Sequence, residues 1–270
     1  MPWKAGYKKF IEDTFTIVNK QGVRVPFILN PIQDAYQKVA TDRDIILKAR
    51  QQGFSSVILA RFAVDFLLKD NSYSVVIADS TENAQGLLDR VKQFVEDYAA
   101  SQGIDASKFL KYNSRRELVN QVIGSHYIIG TAGRHSFGRS KTITNLHFSE
   151  AAFYKDFDKL LAGALQAVVP DGYVVVETTA NGFNLFKTLW DGAKGGDNNF
   201  NPLFFNAKDF YSKEFLDSKR RELGRLYEQE YPDSPEVAFI TSGDCYFDVD
   251  ALRKHLDYAK LLKPIKFQMV

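Results

Sequence analysis

From Asp44 onward, short β-branched apolar runs alternate with longer stretches of helical periodicity. This pattern predicts strands at 45–48, 73–78, 142–148 and 173–178, shorter strands near 118–123 and 126–130, and helices at 55–68, 81–99, 156–168 and 184–191. Strands that alternate with helices in this way predict an α/β class with a mostly parallel sheet and helices on both faces. The helix 55–68 is apolar nearly all round, which predicts burial against the sheet, and Arg61 and Asp65 are spaced to pair at i,i+4. Residues 1–40 mix charge with aromatics, end in a short helix near Ala40, and read as a leader packed on the main domain. The Gly- and Asn-rich run 192–199 predicts a loop that marks a boundary. It separates a core with its leader, 1–200, from a small lid or linker subdomain, 201–270. In the latter the pattern predicts a short strand near 203–206, a charged helix 212–230, a proline turn at 231–235 and a last helix near 249–262.

Composition narrows the class. A chain of 270 residues, 45% hydrophobic, suffices for one large core with a small appendage. Thirty-five basic against 33 acidic side chains give a formal charge of +2, so any polyanion contact has to be local. A lone cysteine, Cys245, excludes an internal disulfide and a cysteine-built zinc site, and suits a reducing compartment. No signal-like start and no bilayer-length apolar run are present, so a soluble cytoplasmic protein is expected.

The segment from Ile45 to Ser56 is an apolar run, a short polar loop, and hydroxyls that open an apolar helix. That is the layout of a phosphate-binding loop, in which backbone N–H groups at a helix start cradle phosphates, a lysine meets the β/γ-phosphates and a hydroxyl holds Mg²⁺. Here Phe54 stands in the lysine slot and Lys48 in the first-glycine slot. If the loop binds phosphate, its cation comes from Lys48 or Arg50, the cradle from Gln51, Gln52, Gly53, Phe54 and Ser56, and the metal hydroxyl from Ser55.

Three further segments carry candidate chemistry. Strand 142–148 runs into Ser149 and Glu150; a carboxylate at such a strand end polarises the water that attacks a γ-phosphate, usually after an aspartate that Ser149 here replaces. The bland alternative is a helix-capping acid. Strand 173–178 ends in Thr178, Thr179 and Ala180, hydroxyls able to sense γ-phosphate and relay the change, or else an ordinary turn before Asn181-Gly182. The loop 130–141 holds three glycines and the cations Arg134, Arg139 and Lys141. Arg139, with Arg134 as the alternative, is placed to reach into a neighbouring subunit's site as an arginine finger; a DNA-backbone contact or a solvated basic loop are the other readings. His126, His135, His147 and His255 show no metal-ligand spacing and read as ordinary core or surface residues.

These segments, with Glu230-Tyr231-Pro232 through Pro235-Glu236-Val237-Ala238-Phe239, resemble the ATPase part of the large terminase subunit of tailed bacteriophages, over about residues 30–247. The resemblance implies a RecA-like fold of the additional-strand class (ASCE), ATP and Mg²⁺ as cofactors, and a deviant loop whose displaced cation is Lys48 or Arg50. It implies Gln33 as the adenine-reading glutamine, Glu150 as the catalytic base, and Thr178, Thr179 and Ala180 as the coupling motif. Ser149 departs from the commoner Asp-Glu pair, which leaves the metal shell to Ser55, Ser149 and water. The implied setting is a ring of subunits on the portal of an empty capsid in the host cytoplasm, working with a small terminase subunit on double-stranded viral DNA. The family's nuclease domain of RNase H type follows its ATPase, and the sequence stops where that domain would begin. No DNA cleavage is therefore expected from these residues, and a longer parent protein is. Two rivals stay open: a helicase-like ATPase, which needs a second RecA-like domain that no segment after residue 200 supplies, and a non-hydrolysing scaffold on the same fold, suggested by Phe54 and Ser149.

Overall fold

The computed structural model describes residues 3–133, 141–241 and 249–262. The leader folds as helix α1 (Tyr7–Thr14), a two-stranded antiparallel hairpin of β1 (Thr16–Val18) and β2 (Arg24–Pro26), and helix α2 (Pro31–Val39). Asn30 starts α2 with a reciprocal capping box: its side chain accepts from the Gln33 N–H while the Gln33 side chain accepts from the Asn30 N–H. The core then alternates as the apolar pattern predicts: β3 (Arg43–Lys48), α3 (Phe54–Leu68), β4 (Tyr73–Ala78), α4 (Thr81–Ser101), β5 (Leu110–Asn113), β6 (Glu117–Asn120), β7 (Ser125–Thr131) and β8 (Ile143–Ser149). It continues through α5 (Phe157–Leu165), β9 (Val168–Thr178), α6 (Leu185–Gly195) and β10 (Asn201–Phe205). The remainder is helical: α7 (Lys213–Leu223), α8 (Tyr227–Glu230), α9 (Pro235–Thr241) and α10 (Val249–Leu261).

The main sheet has eight strands in the order β10-β3-β9-β8-β4-β7-β6-β5. From β10 to β7 every pairing is parallel, and β6 and β5 are added antiparallel. Residue alternation along each strand sorts the side chains into two layers. Ile46, Val76 and Val175 face a layer with α2, α3 and α4. Ile45, Leu47, Phe148, Val174 and Val176 face a layer with α5, α6 and the Ala238–Phe239 turn of α9. Helix α3 is buried along nearly its whole length, which explains why it carries no polar stripe.

Four expectations need correction. The strand at 201–205 is an edge strand of the main sheet, so residue 200 does not separate sheet from tail. The charged stretch 212–230 breaks at Gly224, whose φ of 54° ends α7, and a short turn leads to α8. Asp65 accepts from Tyr7 Oη and from Asn145 Nδ2 at 3.0 Å, while the Arg61 guanidinium lies 3.2 Å from the centroid of the Tyr173 ring, so each finds a partner in the layer below instead of the other. Finally, the hairpin in the leader and strand β5 go unmarked by periodicity, being only three or four residues each.

Candidate functional site

Because parallel strands all point the same way, the carboxyl ends of β3, β8 and β9 meet at one edge, and β9 lies between the other two. Lys48, Ser149 and Glu177 share the parity of Ile46, His147 and Val175, so all three turn toward α3. The result is a charged knot under the start of α3. Lys48 Nζ lies 2.9 Å from Glu150 Oε1 and 3.2 Å from Glu177 Oε2. Ser55 Oγ donates to Glu177 Oε1 at 2.7 Å, Ser149 Oγ donates to the same oxygen at 2.9 Å, and His147 Nε2 approaches it at 3.3 Å. A carboxylate only accepts, so the His147 hydrogen in this pair sits on Nε2. Glu177 Oε2 is buried and faces the Lys48 ammonium without hydrogen-bond geometry.

Burial alone pushes the Glu177 carboxyl up, but the Lys48 ammonium, His147 and the Ser55 hydroxyl hold it well below the usual carboxylate range. Burial alone pulls Lys48 down, and the two glutamates reverse this and hold it above the usual lysine value. Glu150 sits in the left-handed region at φ 58°, ψ 46°, an uncommon conformation for a residue with a side chain. The sharp turn aims its carboxylate back over the sheet edge, where Oε2 accepts from Thr179 N–H at 3.3 Å and lies 3.4 Å from Thr178 Oγ1.

The loop between β3 and α3 has two more left-handed residues, Gln51 at φ 59° and Gly53 at φ 81°. Gly53 is required twice over: a Cβ there would also meet Gln33 Nε2 at 2.6 Å. Phe54, in the lysine slot, is buried against Phe205 and Tyr36 and cannot face a phosphate. Gln52 is likewise turned inward, donating to Asn206 O at 3.0 Å. Gln51 is exposed. Gln33 reaches the loop, but Nε2 donates to Gly53 O at 2.8 Å and Oε1 accepts from Asn30 N–H, so in this structure it braces the loop. Arg50 is turned to the tail: its guanidinium pairs with Glu230 at 2.8 Å, its N–H donates to Glu230 O at 2.9 Å, and Tyr211 Oη donates to its carbonyl at 2.8 Å.

Arg50, Ser55, Ser149, Glu150 and Thr179 line one cleft of about 420 Å³, which Asp79, Glu82 and Arg90 also border. Ala180, by contrast, is buried in the α5/α6 layer. Two residues of this site escape sequence reasoning. Glu177 reads as the end of an apolar strand, and only its cross-strand register with Ser149 brings it under the loop. Arg90, on α4, donates from Nη1 to Ser56 Oγ at 3.0 Å, and among the described residues no carboxylate pairs with it. Its one sequence signal is a cation on a face of α4 where Leu87, Val91 and Phe94 mark the core. Arg134 and Arg139 lie outside the described residues.

Ser55, Ser149 and Glu177 form an all-oxygen donor set with a buried, incompletely bonded carboxylate oxygen, which fits a hard divalent cation such as Mg²⁺. No group of three or more His, Cys, Asp or Glu suited to a resident metal occurs among the described residues, and no described helix is long and apolar enough to cross a membrane.

No family model matches the chain, and no curated protein does. Solved structures do. The ATPase domain of the Thermus phage P74-26 large terminase superposes with a TM-score of 0.58 at 18% identity, covering 76% of this chain and 93% of that one. The large terminase of bacteriophage HK97 superposes with a TM-score of 0.67 at 16% identity, covering 89% of this chain and 56% of that one. The large terminase of a thermophilic bacteriophage, in complex with ADP, gives 0.54 at 12% identity, covering 74% of this chain and 50% of that one. The chain thus spans about half the length of these two whole terminases. Its mostly parallel eight-stranded sheet, with helices on both faces, has the RecA-like fold of the ATPase domains of phage large terminases.

Proposed function

We propose that the chain is the ATP-hydrolysing motor domain of a large terminase, driving double-stranded viral DNA into an empty capsid. The observation that carries this reading is the 2.9 Å contact between Lys48, at the end of the strand before the phosphate loop, and Glu150, at the end of β8. Cation and base meet at one sheet edge, beside the N-terminus of α3. The likeness to terminase ATPase domains, one solved with ADP and one with ATP-γ-S, adds support.

In this reading the triphosphate enters the cleft, and its negative charge draws the Lys48 ammonium off the glutamates. Backbone N–H groups of residues 53–56 at the start of α3 cradle the phosphates, with Arg90 as a second cation from the same subunit. Mg²⁺, held near Ser55 and Ser149, neutralises charge between the β- and γ-phosphates. Glu150, released from Lys48, takes up the attacking water as general base. The same release alters the contact of Glu150 with Thr178 and Thr179, which makes the end of β9 the coupling element. Arg139 of a neighbouring subunit, with Arg134 in reserve, completes the charge on the transferred phosphoryl group. The segment after β10 moves as a lid, because it grips the loop through Arg50 and Gln52. The partners follow from the reading: a homo-oligomeric ring on the portal, a small terminase subunit, and location in the host cytoplasm.

The test is phosphate release without DNA, measured across protein concentration. Turnover that rises with concentration and vanishes in Glu150→Gln is expected. Nucleotide binding with no turnover at any concentration would favour the scaffold reading instead.

A further inference from the structure

Glu177 has no part in the chemistry described so far, yet it is the most heavily bonded side chain of the site. It is fully buried, and its Oε1 accepts from Ser55 and Ser149 and is approached by His147. We propose that Glu177 is the carboxylate of the nucleotide's divalent-cation site, standing in from the neighbouring strand for the strand-end aspartate that Ser149 replaces. The inference rests on the ATPase reading and deepens it.

The sheet register supplies the first argument. Ser149 and Glu177 are direct partners on adjacent parallel strands, so both leave the sheet at the same level. A glutamate there is one methylene longer than an aspartate, and that reach carries its carboxylate across the serine to the loop. Serine at 149 is then the fitting neighbour, because a longer acid would collide in charge with Glu177, whereas the hydroxyl donates to it.

Hydrogen-bond direction supplies the second. Ser55 has a single hydroxyl hydrogen, and donation to Glu177 at 2.7 Å spends it. Both lone pairs are left for a cation, which orients the hydroxyl as an inner ligand. A side chain that held Lys48 alone would not need this bond.

Third, the two glutamates are set apart by environment. The Glu150 side chain is 31% exposed to the cleft where water enters, whereas that of Glu177 is 0% exposed. Its Oε2 makes no hydrogen bond and faces the ammonium of Lys48, the group that the phosphates displace. After that displacement a buried carboxylate oxygen remains without a cation, which a divalent ion restores through its water shell. The carboxyl stays ionised throughout, since its surroundings hold it below the usual range.

Equilibrium binding of fluorescent ADP and of ATP-γ-S to the full chain, in EDTA and across a Mg²⁺ series, tests this. Mn²⁺ binding followed by paramagnetic resonance with ADP present gives a second readout. The wild type is expected to gain affinity with metal. Glu177→Gln is expected to keep the EDTA affinity while losing about ten- to a hundredfold in metal affinity. The double variant Ser149→Asp/Glu177→Gln, which returns the carboxylate to the strand end, is expected to recover part of that loss. Glu177→Asp keeps the charge and the pairing with Lys48 but shortens the reach, and it should lose metal affinity as well. Thus a fold too weakened by glutamine still leaves a decisive variant. An unchanged metal dependence in Glu177→Asp and Glu177→Gln overturns the proposal and leaves Glu177 as the counter-ion of Lys48. A wild type that binds no nucleotide with or without metal overturns the ATPase reading itself, and the proposal with it.

Discussion

Lys48 and Glu150 are 102 residues apart and in direct contact at 2.9 Å. In the nucleotide-free protein the base is therefore held by the cation that the phosphates are meant to recruit. Substrate charge and base activation become one event, so water is not activated before the triphosphate arrives.

Glu150→Gln is expected to lower turnover by at least about a hundredfold, the scale of a lost general base, with nucleotide affinity largely kept. Steady-state phosphate release beside equilibrium nucleotide binding measures both. Normal turnover in this variant would remove Glu150 from the mechanism.

Lys48 and Arg50 should separate cleanly. Lys48→Ala leaves Glu177 as an uncompensated buried charge, and breaking such a pair costs about 3–5 kcal/mol. Arg50 is 59% exposed, and its pair with Glu230 is a surface bridge worth about 0–1 kcal/mol. Chemical denaturation is expected to show this difference, with nucleotide binding lost in Lys48→Ala and only weakened in Arg50→Ala. Equal stability losses, or binding lost only with Arg50, would reverse the assignment of the phosphate-binding cation.

Restoring the usual lysine at the start of α3 should do harm. Phe54 is 1% exposed between Phe205 and Tyr36, and loss of a buried phenylalanine costs about 3–5 kcal/mol. Phe54→Lys is expected to melt well below the wild type and to gain no nucleotide affinity. A stable variant with tighter binding would mean that the loop rearranges far more freely than its packing implies.

The acid side of the stability curve reports on Glu177. Its carboxyl is held below the usual range when folded, so its contribution is fully present above the unfolded glutamate value of about 4.3 and is lost as pH falls through the lower folded value. The stability gap between wild type and Glu177→Gln should accordingly be constant near neutrality and shrink below about pH 4.3. Urea unfolding at a series of pH values measures it, and a gap that widens on acidification would mean that Glu177 is protonated in the folded protein.

Much of this site was legible because its chemistry lies at strand ends. Lys48, Ser55 and Glu150 follow or precede apolar runs whose period predicts where they emerge, and the two strands carrying the cation and the base end at one edge as the alternation implies. Phe54 was misleading because the slot it fills faces the core, which only the packing of Tyr36 and Phe205 reveals. Glu177 was hidden for a different reason: its partners come from two other segments, and no spacing within its own strand encodes the register that joins them. Arg61 and Asp65 illustrate the same limit, since the i,i+4 rule describes an isolated helix and loses to Tyr173 and Asn145 once α3 is buried. The hairpin at 16–26 and the break at Gly224 are set by local turn geometry within segments too short or too charged for a periodic signal.

The most direct test of the central claim is a structure of the chain with ATP-γ-S and Mg²⁺. Lys48 Nζ is expected within hydrogen-bond distance of the β- or γ-phosphate, with Glu150 free of it and turned to a water beside the γ-phosphate. Phosphates bound elsewhere, with Lys48 still between Glu150 and Glu177, would contradict the displaced-cation mechanism.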